Sequence, residues 1–141
     1  MPAMDEAQAR RRLAAAPVVR LATVDAGGRP HLVPMTFCVS AGGDLIYSAV
    51  DAKPKTTRCL KRLANIAANP AVSVLADHYD GDWSALWWVR ADGFARTSAG
   101  GPEFDQAIEG LQAKYPQYRD TAPAGPVVII AVSRWSGWAA A

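Results

Sequence analysis

Five basic side chains, Lys53, Lys55, Arg58, Lys61 and Arg62, fall within ten positions of one another, and Asp51, at the edge, is the only acid from there to Pro70. The stretch D-A-K-P-K-T-T-R-C-L-K-R-L-A-N-I-A-A-N-P thus holds a third of the 15 Lys and Arg of the chain. Its second half has helical spacing, with Leu60, Leu63 and either Ile66 or Ala67 on one apolar stripe. Arg58, Lys61 and Arg62 flank that stripe, and Thr56 or Thr57 is suited to cap the helix start. Cations beside the free N–H groups of a helix N-terminus receive phosphate or carboxylate. The competing reading is the solvated face of an amphipathic helix.

Other residues with chemical potential are few. The sequence has no G-x-G-x-x-G, P-loop, G-x-S-x-G or H-E-x-x-H pattern, so the common nucleotide and hydrolase signatures fail. Its two histidines, His31 and His78, have no nucleophile nearby in sequence that would suggest a triad. Cys38 and Cys59 form neither a zinc spacing nor a C-x-x-C pair, and read as free thiols in a reducing compartment. Asp77 to Asp82 (D-H-Y-D-G-D) lacks the rest of a calcium loop and reads as a solvated acidic turn, so no metal site is expected. If the protein is an enzyme, a cofactor carries the chemistry, and no catalytic side chain stands out.

Composition narrows the field. A chain of 141 residues with 50% hydrophobic and 20% charged positions fits one globular domain, 1–141. A net charge of +2 makes the basic character local, and the basic stretch carries no interleaved aromatics, which argues against nucleic acid. There is no apolar run long enough to span a bilayer and no apolar core of a signal peptide, so no membrane partner and a cytoplasmic location are expected.

The elements that must position the basic stretch follow from periodicity. Met4 to Ala15 reads as a helix with Asp5 and Glu6 in its first turn. Val18 to Asp25 and Pro30 to Ser40 read as strands around an Ala26-Gly27-Gly28 turn. In the second, Val33, Met35, Phe37 and Val39 share one face and Leu32, Pro34, Thr36 and Cys38 the other. Pro34 has no N–H to give a ladder, so the strand there is an edge, a bulge or an opening toward a ligand. Leu45 to Val50 and Ala71 to Ala76 are strands joined by the basic helix as a crossover. Trp83 to Thr97 is a long strand with Gly93 a candidate bulge; Trp87 and Val89 face one way, Trp88 and Arg90 the other. Either both faces pack in the core, or one meets the core and the other a ligand or a second subunit. A helix from Glu103 to Lys114 ends at Pro116, and Val127 to Ser133 is a continuous apolar run, expected for a strand buried on both sides. Six strands with short Gly-rich connections predict a mainly β (α+β) fold, antiparallel and closed into a small barrel.

The series L-I-Y-S at Leu45 to Ser48, K-R-L-A-N-I-A-A-N-P at Lys61 to Pro70 and V-S-V-L at Val72 to Leu75 resembles the core of the flavin-binding split-barrel family related to pyridoxine 5′-phosphate oxidase. That family has a strand ending in Thr or Ser, a basic pair opening a helix, and an Asn-Pro or Asp-Pro leading into the next strand. More narrowly, K-P-K-T-T-R-C-L-K-R-L-A-N-I with D-H-Y-D-G-D-W-S-A-L-W-W-V-R-A-D-G is similar to an actinobacterial subgroup that uses the deazaflavin coenzyme F-420. The resemblance runs from about Pro17 to Trp138.

The resemblance implies a six-stranded antiparallel split β-barrel of the FMN-binding type with flanking helices. It also implies a homodimer with the cofactor groove at the interface, and hydride transfer between reduced coenzyme F-420 and an unsaturated small-molecule acceptor. By matching positions, Ser48, Lys61 and Arg62 meet the cofactor phosphate, and Lys53, Lys55 and Arg58 join them by charge and location. Backbone around Val33 to Thr36, including Pro34 and Thr36, lines the ring, and Trp88 is an aromatic candidate for the same cofactor. The flavin-binding oxidases place an Arg and a Lys on the second strand, where this chain has His31, Leu32, Pro34 and Thr36. FMN therefore stands as the alternative cofactor, with an FMN-dependent oxidase as the alternative enzyme. A non-enzymatic protein that holds flavin, or haem on His31 or His78, is the remaining class.

Overall fold

A computed structural model describes residues 3–50 and 57–141; of residues 57–60 it describes the backbone but not the side chains. The chain begins with α1 (Glu6–Ala15), where Asp5 is the N-cap rather than a first-turn residue, its carboxylate accepting from Gln8 N at 2.8 Å. β1 (Val19–Val24) and β2 (Pro30–Met35) form a hairpin. Asp25 organises its turn by accepting from both Gly27 N and Arg29 N, and Gly28 supplies the positive φ, +88°, that the turn requires.

After β2 come β3 (Cys38–Val39), β4 (Leu45–Ala49), α2 (Thr57–Ala68) and β5 (Ala71–His78). A short 3-10 turn at Trp83–Ala85 leads into β6 (Trp87–Ser98), then α3 (Pro102–Lys114), α4 (Pro116–Asp120) and β7 (Val127–Ala139). The described strands form one antiparallel sheet in the order β2-β1-β5-β6-β7-β4-β3. β2 and β3, neighbours in sequence, therefore stand at opposite ends of a curled sheet, the arrangement of a split barrel.

The expected strand from Pro30 to Ser40 is thus two strands, which makes seven where six were expected. Met35 still pairs with Val19 of β1, whereas Cys38 pairs with Tyr47 of β4, and Thr36 and Phe37 carry the chain between the two ends of the sheet. The side-chain alternation survives the break. Val33, Met35, Phe37 and Val39 all pack into the main core, while Cys38 joins a second core beneath α3. Pro34 lies on an edge strand, where its missing N–H costs no ladder bond.

The main core fills the curl of the sheet, with Leu13 of α1 and Ile66 of α2 packed against Leu21, Val74, Val89 and Ile130. Ile66 is buried and Ala67 exposed, which settles the stripe of α2 on Leu63 and Ile66. The second core lies on the other face of β4 and β7, where Ala107 and Leu111 of α3 meet Tyr47, Val127 and Ile129. Val127 to Ile130 are accordingly buried on both sides, as their unbroken apolar run predicts.

β7 continues to Ala139, past the expected end at Ser133, because its aromatic half pairs with Trp87 to Asp92 of β6. The register shifts between Asp92 and Gly93, leaving Ser133 as the extra residue of a bulge. Gly93 is required there, since a Cβ would collide with the Ala131 carbonyl oxygen. Trp83 falls in the 3-10 turn and is 75% exposed, so the long strand begins four residues later than expected. Among the described residues no helix is long and apolar enough to cross a membrane.

Candidate functional site

The break between β2 and β3 opens a pocket of about 290 Å³ lined by Val18, Pro34, Met35, Thr36, Ser48, Ala49 and Arg62. Three elements converge on it: the end of edge strand β2, the end of β4 and the basic helix α2. Backbone groups at the break have left one strand ladder and not entered the next, so side chains must satisfy them. Ser48 Oγ donates to the Thr36 carbonyl at 2.7 Å. Phe37 N donates to the Tyr115 hydroxyl at 3.1 Å, and that hydroxyl donates to Pro17 O at 2.9 Å. Thr36 Oγ1 shares a 2.7 Å hydrogen bond with the Tyr118 hydroxyl.

Phe37 itself is fully buried, with the Lys114 ammonium 3.5 Å from its ring centroid. Lys114 also donates to Ala14 O and Ala16 O, tying the end of α3 to the end of α1. Burial pulls the Lys114 pKa down to about 8 and pushes the neighbouring Cys38 thiol up to about 11. Burial likewise raises the Tyr115 phenol, which keeps it a neutral donor.

Arg62 lies on the docked side of α2, between Asn65 and Ile66 around the helix, and lines the pocket from there. Leu63 and Ile66 pack on the main core, and Asn65, 2% exposed, donates from Nδ2 to Thr23 Oγ1 at 3.0 Å. A buried amide with a matched hydroxyl fixes the rotation of the helix, since any other rotation would strand both polar groups.

The pocket therefore brings together Pro34, Thr36, Ser48 and Arg62 of the expected site. Lys61, one position along α2, is directed elsewhere and meets Asp25 at 3.7 Å. Trp88 belongs to a separate shallow depression on the outer face of the sheet, with Leu75, Asp77, Tyr79 and Arg90. Lys53 and Lys55 lie outside the described residues, as does the side chain of Arg58. His78 meets Asp80 at 2.7 Å on an exposed turn, and no metal-binding group of His, Cys, Asp and Glu occurs among the described residues. Cys38 is a buried free thiol, as expected, and the Cys59 side chain lies outside the described residues.

Among the described residues no carboxylate or histidine lines the pocket, and the one Ser48 proton is committed to a carbonyl, so what these side chains offer is binding. The Arg62 guanidinium suits an anionic group, and the strand end at Pro34 to Thr36 offers a flat group an edge beside it. Met35 falls within the expected Val33 to Thr36 edge, whereas sequence reasoning missed Val18 and Ala49 as lining residues, and missed both tyrosines. Tyr115 and Tyr118 lie in Y-P-Q-Y, at the start of a stretch read as a loop, and α4 was not expected at all.

The model of the pyridoxamine 5′-phosphate oxidase family matches residues 5–139, almost the whole chain. The protein belongs to this family. Its seven-stranded curled sheet is the family's split barrel, as the resemblance implies, with one strand more than expected. Solved structures share the fold at low identity. An FAD-binding protein from Mesorhizobium loti is 20% identical, with a TM-score of 0.74, covering 96% of this chain and 95% of that one. A conserved hypothetical protein from Mycobacterium tuberculosis is 22% identical, with a TM-score of 0.76 over 97% of this chain and 86% of its own. The FAD binding protein from Mycobacterium smegmatis is 17% identical, with a TM-score of 0.65 over 97% of both chains. No curated protein matches the chain.

Proposed function

We propose that this pyridoxamine 5′-phosphate oxidase family member is an oxidoreductase that transfers a hydride between reduced coenzyme F-420 and an unsaturated small organic acceptor. The observation that carries the reading is the pocket at the strand break, where Arg62 stands beside Pro34, Thr36 and Ser48. At about 290 Å³ it sits at the small end of ligand pockets, roughly 300 to 1,000 Å³. It fits one end of an elongated cofactor, the charged one, with the remainder extending along the open end of the sheet. When bound, the deazaflavin supplies the hydride chemistry. The chain's own part is to hold the anionic end on Arg62, present the Pro34–Thr36 edge to the ring system and exclude water there.

The choice of deazaflavin over FMN rests on charge placement. β2 carries no Arg or Lys, and its Leu32 is 67% exposed, so the second strand offers an FMN phosphate no cation. The cations lie instead along residues 53–62, which suits a long phosphodiester and oligoglutamate tail. A flavin reading has its own support, because two proteins of the same fold are described as FAD-binding.

Parallel fluorescence titrations of the purified protein with coenzyme F-420 and with FMN test the choice. Tighter binding of F-420 is expected. Tighter binding of FMN, or a protein purified yellow, would replace the deazaflavin with a flavin. Arg62→Ala should weaken cofactor binding at least several-fold with the fold intact, since a charge-assisted hydrogen bond contributes about 1.5 to 3 kcal/mol. Unchanged affinity would remove Arg62 from the site.

The same proposal includes a homodimer. Beyond α3, which covers β4 and β7, the outer face of β2, β1, β5 and β6 is covered by no described helix and exposes Leu32, Phe94 and Tyr79, with Trp88 half-buried among them. An apolar face of this kind marks an interface, and a second copy is the occupant we propose. Trp88, remote from Arg62 within one chain, would then contribute to a cofactor groove shared between copies.

A further inference from the structure

We infer that Tyr118 and Tyr115 are positioning residues of the Arg62 pocket: the hydroxyls of one short helical segment set where the Pro34–Thr36 rim stands, and hence how tightly the anionic end of the cofactor is held. The inference rests on the function proposed above.

Thr36 is the pivot. It is the pocket residue at which β2 ends, and neither strand ladder includes it. Three partners from three other elements hold it instead. Tyr118 of α4 meets its side chain, Ser48 of β4 takes its carbonyl, and Tyr115 at the α3–α4 junction takes the N–H of the next residue. Two of those three are the tyrosines, and neither lines the pocket itself.

The tyrosines are themselves held firmly. Their rings meet edge to face at 5.6 Å and 75°. Arg119 donates to Gln112 O and Ala113 O, and Gln112 Nε2 donates to Tyr118 O, so α4 is strapped back onto the end of α3. Tyr115 reaches Pro17 O as well, beside the lining residue Val18. Both sides of the rim are thereby referenced to one support, and a shift of that support moves Val18 and Thr36 together.

Thr36 and Pro34 line the pocket together with Arg62, so the hold on Thr36 fixes the rim opposite the guanidinium. Tyr118 acts through Thr36, and it is not among the pocket-lining residues.

The test uses conservative variants of the full chain. Tyr118→Phe and Thr36→Val each delete one hydroxyl and keep the packing volume. Each is expected to raise the dissociation constant of the preferred cofactor, F-420 or FMN, roughly three- to tenfold, the range for one neutral hydrogen bond. The double variant is expected to be no weaker than either single one, because both remove the same bond. Thr36→Ser, which keeps the hydroxyl, should restore affinity close to that of the parent.

Tyr118→Phe that binds like the parent, or losses that simply add in the double variant, would overturn the inference. A purely structural role would lower the melting temperature of Tyr118→Phe and leave the affinity of the folded fraction untouched, which also overturns it. Arg62→Ala separates the two levels. If Arg62→Ala weakens binding and Tyr118→Phe does not, the functional reading stands and the positioning role falls. If the parent binds neither cofactor, both fall.

Discussion

Gly93 and Lys114 show how single positions are dictated by their surroundings. The bulge between β6 and β7 brings the Ala131 carbonyl into the space a Cβ would fill at Gly93. Gly93→Ala is therefore expected to lose about 1 to 3 kcal/mol of stability, in the range of an overpacked core, measured by urea denaturation. Lys114 lies over the Phe37 ring with two carbonyl acceptors, yet burial dominates and draws its pKa from 10.5 to about 8. Between those values the unfolded chain binds the proton that the folded one has released, so this group makes stability rise with pH from about 8 toward 10.5. Cys38 has the opposite sign. Its thiol is raised from 9.0 to about 11, so the unfolded chain ionises first and stability falls across that interval. The gain is thus confined to the window between about 8 and 9, below the onset of the thiol's effect. Chemical denaturation at the two ends of that window should show it, and Lys114→Met should abolish it.

Among the elements, α3 is the one that closes the second core and anchors the break. Leu111 is fully buried between β4 and β7, and Leu111→Ala should cost about 2 to 5 kcal/mol, read from the shift of a denaturation midpoint. The two ends of α3 were legible in sequence, because Gly101-Pro102 and Pro116 punctuate it. α4 was not, since five residues carry no helical period, and what holds it is the Arg119 and Gln112 bonding to the end of α3. α2 shows both sides of this. Its apolar stripe and its Asn-Pro stop were readable, but the rotation that sends Arg62 to the pocket and Lys61 to Asp25 depends on the buried Asn65–Thr23 bond. Those partners lie 42 positions apart, beyond any local pattern.

For the molecule as a whole, the outer face of β2, β1, β5 and β6, which α3 does not reach, is the feature that bears on assembly. A protein of this size that left Leu32, Phe94 and Tyr79 in water would be prone to associate through that face. Light scattering at micromolar concentration should give the mass of two chains, and Phe94→Glu should shift it toward one, because a carboxylate there would be buried without a partner. A parent protein that runs as one chain would count against the shared groove.

The amino-acid sequence by itself indicated where most strands lie and which faces they bury, because periods of two and of 3.6 residues are local signals that tertiary context reinforced, and the resemblance of its motifs pointed to the family. Even the alternation from Val33 to Val39 held through a break that it could not announce. Only the tertiary structure decided that this stretch parts at Thr36 and Phe37, sending β2 and β3 to opposite ends of the sheet. The reason is that strand partners are chosen by distant segments, β1 on one side and β4 on the other, and no local pattern encodes that competition. The same break creates the pocket. The resemblance pointed to Pro34, Thr36, Ser48 and Arg62 singly, and the split of one strand is what places them around a common space.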